Sequence, residues 1–264
     1  MPVSFRETPQ NRLILLGASN LTLSLRLVIH LMQQRFGAPS EILAAVGHGR
    51  AYGIFSEAVW RGLPGFAECG VWRQLRETES RPAYALLTDI GNDILYGLLP
   101  EQVLHSVEAC VERLQQQSAQ IVVTGLPMTS IEHLSEWRFL LFRNLFYPSC
   151  RLSRSETIDR AWAVHDGLAI MAARRKFVLH EQKPEWFGMD GIHVNYWQRE
   201  AYYREIIQQF PDSGTKPELC GDQRKFFLTW QQRPEFAFKT LFGRAIYRPQ
   251  PSGLLTDASR VSKY

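Results

Sequence analysis

Five short apolar runs constrain this chain more than anything else in it. They are Leu13–Leu16, Ile42–Val46, Tyr84–Leu87, Ile121–Val123 and Phe177–Leu179. Each is too short for a helix, and each is flanked by glycine, proline or polar residues. That pattern predicts strands buried on both faces. Between them lie stretches of helical period. Leu21–Phe36 ends at Gly37 and Pro39, read as a left-handed glycine cap followed by a residue that cannot continue a helix. Pro100 opens a second helix, with Val103, Val107, Val111 and Leu114 on one face. The aromatic-rich stretch 130–150 reads as partly helical. Ser153-Arg154-Ser155-Glu156 fits a capping box for a helix running to about Arg175. A last helix starts near Asn195, with Tyr202, Ile206 and Phe210 in line along it. Strands alternating with helices imply a parallel sheet covered on both faces. In such sheets the working loops lie beyond the carboxyl ends of the strands.

Composition narrows the function classes. Apolar residues are 45% and charged residues 21% of 264, an ordinary globular balance. Cys69, Cys110, Cys150 and Cys220 are far apart and form no CxxC pair, which argues for reduced thiols in a cytosolic protein rather than a disulfide scaffold or zinc site. The first ten residues lack an apolar signal core. The stretch Leu13–Met32 is broken by Asn20, Thr22, Ser24, Arg26 and His30, so no membrane span is expected. The net charge of +4 matches the excess of nine Lys/Arg over five Asp/Glu from Asp212 onward. These charges are interleaved with Phe226, Phe227, Trp230, Phe236, Phe238 and Phe242. That argues for a packed extension rather than a nucleic-acid-binding arm. The chain therefore divides into a body, 1–210, and an aromatic-rich basic extension, 211–264. The extension is expected to pack on the body, covering a sheet edge or walling a cleft, with 249–264 a loose end.

The polar motifs sit at the predicted strand ends. Ser19, in Gly17-Ala18-Ser19-Asn20, stands at a strand-to-helix turn, where free N–H groups can hold an oxyanion. A helix N-cap is the competing role. Asp190 precedes His193 by three residues, a spacing at which a carboxylate can hold one imidazole nitrogen and leave the other as a base. Asn92, in Gly91-Asn92-Asp93, can offer its amide to an oxyanion or simply serve a turn. The turn Gly47-His48-Gly49-Arg50-Ala51-Tyr52-Gly53 admits two readings, an oxyanion N–H at Gly49 or a pyrophosphate cradle. The second fits poorly, because the glycines follow the second strand and the next strand-end acid, Asp89, is too distant. Arg50, Tyr52, Gly53 and Asp93 are candidate substrate contacts. The remaining histidines show no metal-ligand spacing, and HExxH, P-loop and GxSxG motifs are absent.

Taken together, these four motifs resemble the blocks of the SGNH hydrolases, also called the GDSL esterase/lipase family. Gly17-Ala18-Ser19-Asn20 is similar to the first block, with Ala18 in place of the usual aspartate. Val46-Gly47-His48-Gly49 is similar to the second. Ile90-Gly91-Asn92-Asp93 is similar to the third, with Ile90 in place of a glycine. Asp190-Gly191-Ile192-His193 is similar to the fifth. The resemblance spans Leu13 to about Phe210. It implies a flavodoxin-like three-layer α/β/α sandwich whose five-stranded parallel sheet has the order 2-1-3-4-5. It implies a serine esterase using Ser19, His193 and Asp190, with an oxyanion hole from Ser19, Gly49 and Asn92. Neither metal nor organic cofactor is implied, and the partner is a small-molecule ester. A catalytically weak binding protein on the same fold and, behind it, a nucleotide-binding α/β protein are the alternatives. Acyl group, alcohol and oligomeric state stay open.

Overall fold

The computed structural model describes residues 8–58, 60–211 and 228–264. Phe226, Phe227 and Cys220 lie outside the described residues. The strands are β1 (Asn11–Gly17), β2 (Ser40–Val46), β3 (Ser56–Ala58), β4 (Arg61–Leu63), β5 (Ala83–Leu87), β6 (Gln120–Thr124), β7 (Val178–His180), β8 (Trp230–Gln232), β9 (Phe238–Leu241), β10 (Arg244–Tyr247), β11 (Gly253–Leu255) and β12 (Arg260–Lys263). The helices are α1 (Ser19–Phe36), α2 (Val71–Glu77), α3 (Asn92–Leu95), α4 (Pro100–Gln115), α5 (Met128–Glu132), α6 (Glu136–Phe146), α7 (Arg154–Arg175) and α8 (Arg199–Gln208).

The five sequence-predicted strands pair in the expected order, β2-β1-β5-β6-β7, all parallel. Leu13 to Leu16 are wholly buried. Alternate residues point to opposite faces, as the pleat requires. Ile14 and Leu16 pack with α2, α4 and α7, whereas Leu13 and Leu15 pack with α1 and α8. The result is helices on both sides of one mostly parallel sheet.

That sheet has eight strands, not five. β12 adds parallel to the free edge of β2, β11 pairs antiparallel with β12, and β8 pairs antiparallel with β11. An open β2 edge would leave a row of unpaired N–H and C=O groups, and β12 satisfies them. Segment 249–264 is thus no loose end: Val261 and Ser262 are buried in the sheet. A second, four-stranded antiparallel sheet has the order β10-β9-β4-β3. It joins the 56–63 hairpin, which follows the β2 turn, to the hairpin of the extension.

Helix ends follow local chemistry with two exceptions. Ser153 Oγ accepts from the Glu156 N–H, and the Glu156 carboxylate accepts from the Ser153 N–H at 2.8 Å, so the capping box forms. Gly37 has φ +90° but an extended ψ, so it is not the left-handed cap expected, although its N–H still reaches the Gln33 carbonyl. Asn195 caps a single 3-10 turn, Tyr196–Gln198, and the regular helix begins only at Arg199. Cys69, Cys110 and Cys150 are buried free thiols. No helix among the described residues is long and apolar enough to cross a membrane.

Candidate active site

The carboxyl ends of β1, β2 and β5 and the loop before α8 converge on one place. β1 ends at Gly17, where any Cβ would lie 2.2 Å from the Thr88 hydroxyl, so only glycine allows the chain to turn there. Ala18 is the helix N-cap residue and Ser19 the first residue of α1. Ser19 therefore does not cap the helix. Its hydroxyl forms no hydrogen bond with any described residue, and it lines a cavity of about 110 Å³. Its N–H is one of the helix-end donors without an intrahelical partner.

The residue that organises the site is Asn20, to which the sequence reading assigned no role. Its side-chain N–H groups donate to the Asp89 carboxylate at 2.8 Å and the Ile192 carbonyl at 2.9 Å. Its side-chain oxygen accepts from the Val194 N–H at 2.8 Å. Asn20 thus grips the backbone on both sides of His193, across more than 170 residues of sequence. Asp89 sits at φ +60°, a conformation an L residue holds only under local constraint. It also accepts from the Leu21 N–H at 3.3 Å. Burial pushes the Asp89 carboxyl above the usual carboxylate range, and the Asn20 and Leu21 bonds oppose that rise. The sequence signal for Asn20 was its place in the Gly17-Ala18-Ser19-Asn20 block, which says nothing of its partners.

His193 and Asp190 are bonded, imidazole Nδ1 to carboxylate Oδ2, at 2.5 Å. The other carboxylate oxygen accepts from the Ile192 and His193 N–H groups at 3.1 and 3.0 Å. Both side chains are partly buried. Burial alone would disfavour the charged imidazole, but the Asp190 bond and charge, backed by Asp89, outweigh it and raise the His193 pKa. Burial likewise works against the Asp190 carboxylate, and its bonds to His193 outweigh it and hold the pKa low. Phe146 of α6 packs edge-on against the imidazole, with centroids 5.5 Å apart. No hydrogen bond joins Ser19 to His193.

Asn92 lines the same cavity. One side-chain N–H donates to the Arg50 carbonyl at 3.0 Å, and its oxygen accepts from the Tyr147 hydroxyl at 2.7 Å. An amide carries two N–H groups, so one is left for another acceptor. Gly49, next to Arg50, has φ +65°, and its carbonyl accepts from the Tyr96 hydroxyl at 2.8 Å. Its own N–H bonds to no described residue. Tyr96 and Tyr147 pack edge to face, centroids 5.2 Å apart, so one aromatic pair braces both groups. Burial pushes the Tyr96 hydroxyl up to about 12, which keeps it a neutral donor.

The four proposed substrate contacts fall elsewhere, and each has a structural reason. Arg50 is 0% exposed and donates to the carbonyls of Pro64, Val46 and Tyr264 at 2.8, 3.1 and 2.6 Å, lying 4.6 Å from the centre of the Phe66 ring. It is a buried clamp between the turn and β12. Tyr52 is also 0% exposed and donates its hydroxyl to the Thr88 carbonyl at 2.9 Å. The Asp93 carboxylate is buried and accepts from the Tyr52 and Gly53 N–H groups, both at 2.8 Å. Asp93 and Gly53 thereby fasten the α3 loop to the glycine turn. None of the four lines the cavity.

Much of the cavity wall is apolar, with Arg143 of α6 and Gln182 among its polar residues. Phe139, Phe142 and Phe146 of α6, with Leu126, Leu134 and Ile192, face it. α6 buries only Phe139 fully, while Trp137, Leu141 and Leu145 are exposed. Among the described residues, no three His, Cys, Asp or Glu side chains are grouped to hold a metal ion.

The architecture is similar to that of solved structures. One is a carbohydrate acetylesterase family member from Sinorhizobium meliloti, 12% identical, TM-score 0.52, with 75% of this chain and 95% of that chain covered. Another is the native M. smegmatis aryl esterase, 12% identical, TM-score 0.51, covering 75% of this chain and 97% of that one. The chain has the SGNH-hydrolase fold. No family model and no curated protein matches the sequence.

Proposed function

We propose that the chain is a serine ester hydrolase that works through an acyl-enzyme, with Ser19 as nucleophile, His193 as base and Asp190 as its orienting partner. The observation that carries this reading is the Asn20 clasp. The residue next to Ser19 is bonded to the backbone on either side of His193, whose other flank is held by Asp190. The fold similarity to esterases supports it at the level of architecture.

The chemistry follows from the donors and acceptors. Nδ1–H donates to Asp190, so Nε2 is the basic nitrogen. Nε2 takes the Ser19 proton as Oγ bonds to the ester carbonyl carbon. The carbonyl oxygen becomes an oxyanion and accepts from the Ser19 and Gly49 N–H groups and the unspent Asn92 N–H. The C–O bond to the alcohol breaks, and the alcohol leaves with the proton from Nε2. Water, deprotonated by the same nitrogen, attacks the acyl carbon; the C–Oγ bond breaks, Ser19 Oγ takes the proton back from Nε2, and the acid leaves. The Phe-lined cavity suits an apolar acyl chain. Free hydroxyls of this kind tighten onto their base when substrate binds, so the missing Ser19–His193 bond fits a resting site.

The test is covalent capture. A fluorophosphonate should label Ser19, located by peptide mass spectrometry, and 4-nitrophenyl esters should be hydrolysed. Ser19→Ala or His193→Ala should lower kcat by about 10⁴–10⁶, as loss of one member of such a unit does in serine hydrolases. The competing reading, a binding protein on this fold, rests on the unbonded Ser19 hydroxyl. It requires no labelling and no turnover with any acyl chain length.

A further inference from the structure

Outside the apolar cavity, three cations gather beside the Gly49 turn. Lys263 belongs to β12, which runs parallel to β2 in register with Ala44 opposite, so Lys263 arrives at the carboxyl edge of the sheet just before the turn begins. Arg61 belongs to β4 and pairs across the hairpin with Ala58, whose Cβ lies 3.6 Å from where a side chain on Gly49 would start. Both cations lie against one ring, Phe236, the ammonium 4.1 Å and the guanidinium 5.1 Å from its centre. Lys239 lies on β9, the strand paired with β4 through Arg61–Leu241 and Gly62–Thr240, and adds its field to Lys263. Segments some 200 residues apart in sequence thus deliver like charges to one spot.

Among the described residues no carboxylate pairs with Arg61, Lys239 or Lys263, and Arg61 Nε is buried without a hydrogen-bond partner. Glu57, the nearest acid in the hairpin, is opposite Gly62, one residue out of step with Arg61, and so belongs to the other face of the ribbon. Burial, then Arg61 and Lys239, hold the Lys263 ammonium down at about 8. The cluster meets the reaction centre at the Gly49 turn: Ala58, opposite Arg61, lies against Gly49, and the carbonyl of the next residue, Arg50, accepts from the cavity-lining Asn92. His48, the residue before Gly49, feels the same field: burial first, then the charges of Arg61, His193 and Lys263, keep its imidazole below the usual range. Grouped like charges with low-dielectric surroundings raise the local concentration of an oppositely charged ligand. A guanidinium fork beside an ammonium matches a phosphate group.

We propose that Arg61, Lys263 and Lys239 form a subsite for a phosphate group carried on the alcohol part of the ester. The inference rests on Ser19 being the nucleophile. The alcohol side follows from position: the cations flank the Gly49 turn and none of them lines the Phe-walled cavity, which takes the acyl chain.

The test compares 2-acetoxyethyl phosphate with its uncharged counterpart, 2-methoxyethyl acetate, in the full chain. The parent should favour the phosphorylated ester. In Arg61→Met and Lys263→Met the ratio of the two kcat/KM values should fall about 10–100-fold each, the worth of a charge-assisted hydrogen bond. Lys263→Arg should keep most of the ratio, which a merely structural lysine stacked on Phe236 does not predict. Ratios within about twofold of the parent in both Met variants and their double overturn the subsite, since two charge-assisted contacts cannot vanish without trace. Fatty-acid release from phosphatidic acid vesicles, run alongside, tells a lipid headgroup from a free phosphorylated alcohol, and Lys263 dependence in either arm supports the proposal. Calorimetry of phenyl phosphate with the Ser19→Ala protein separates the two readings. Saturable binding that is lost when Lys263→Met is added, in a chain whose parent hydrolyses no ester, leaves the phosphate site standing and overturns its assignment to a leaving alcohol together with the hydrolase. Absence of binding there overturns the subsite while leaving the hydrolase untouched.

Discussion

The two flanks of Ser19 are built from different material. On one side α6 and the residues around Leu126 present mainly aromatic and aliphatic side chains to a cavity, with Arg143, bonded to the Leu152 carbonyl, as the one cation in its lining among the described residues. On the other, the Gly47–Gly49 turn is backed by Arg61, Lys239 and Lys263, which form no ion pair among the described residues. The apolar flank is one helix and its supports, close together in sequence. The basic flank is assembled from a hairpin after β2 and from the extension. An apolar wall discriminates weakly, about 1–3 kcal/mol per missing group, whereas charge-assisted contacts discriminate by geometry and sign. The division therefore predicts broad tolerance of acyl chains and narrow tolerance of alcohols.

That comparison can be broken from the centre outward. Asn92→Ala removes a donor that both flanks share. It should lower kcat about 10²–10³-fold on short and long, charged and neutral esters alike, as loss of one oxyanion donor does. A loss confined to one substrate type would mean that Asn92 belongs to a flank instead. Phe142→Ala acts on the apolar side only. It should erase about 10-fold of any preference for octanoyl over acetyl esters, in line with exposing part of a buried aromatic contact, and should not touch the phosphate preference. Steady-state kinetics on the two acyl lengths measures this.

The smallest effect is a shift along the pH axis. Asp190 raises the His193 pKa, so the ring keeps its proton to a higher pH than an ordinary imidazole. Only the neutral ring is a base, so kcat/KM should drop as pH falls through that raised value. In Asp190→Asn the carboxylate charge is gone. The residual activity should be far lower, and its acid limb should move to lower pH. A limb that stays in place would show that Asp190 does not face the titrating group.

Much of the core was legible because burial on both faces writes itself as unbroken apolar runs. Leu13–Leu16 is such a run, and the five strands follow from runs of this kind, whereas their order was implied by the resemblance to the SGNH hydrolases. β12 was not legible. Arg260-Val261-Ser262-Lys263 is a four-residue strand with charged ends, and nothing local distinguishes it from a loop. It is a strand because the β2 edge needs a partner. Arg50 shows the same limit for a side chain. Its place beside a glycine invited a substrate role, but three carbonyls from Val46, Pro64 and Tyr264 close around it, and two of those belong to distant segments. Asn20 was quoted as part of a motif without a role, because its partners, Asp89, Ile192 and Val194, are far away in sequence.

What this sequence determined by itself is therefore what depends on neighbours along the chain. That covers the apolar runs, the Ser153 capping box, the helix that Pro100 opens and the three-residue spacing of Asp190 and His193, which needs only one loop to form its bond. The tertiary structure alone decided the sheet's width, the burial of Arg50, the Asn20 clasp, the tyrosine pair behind Gly49 and Asn92, and the gathering of Arg61 with Lys263. The reason is one of range. Periodicity and capping act over about four residues, whereas a hydrogen bond or a repulsion between segments hundreds of residues apart exists only once the chain has closed the loop between them.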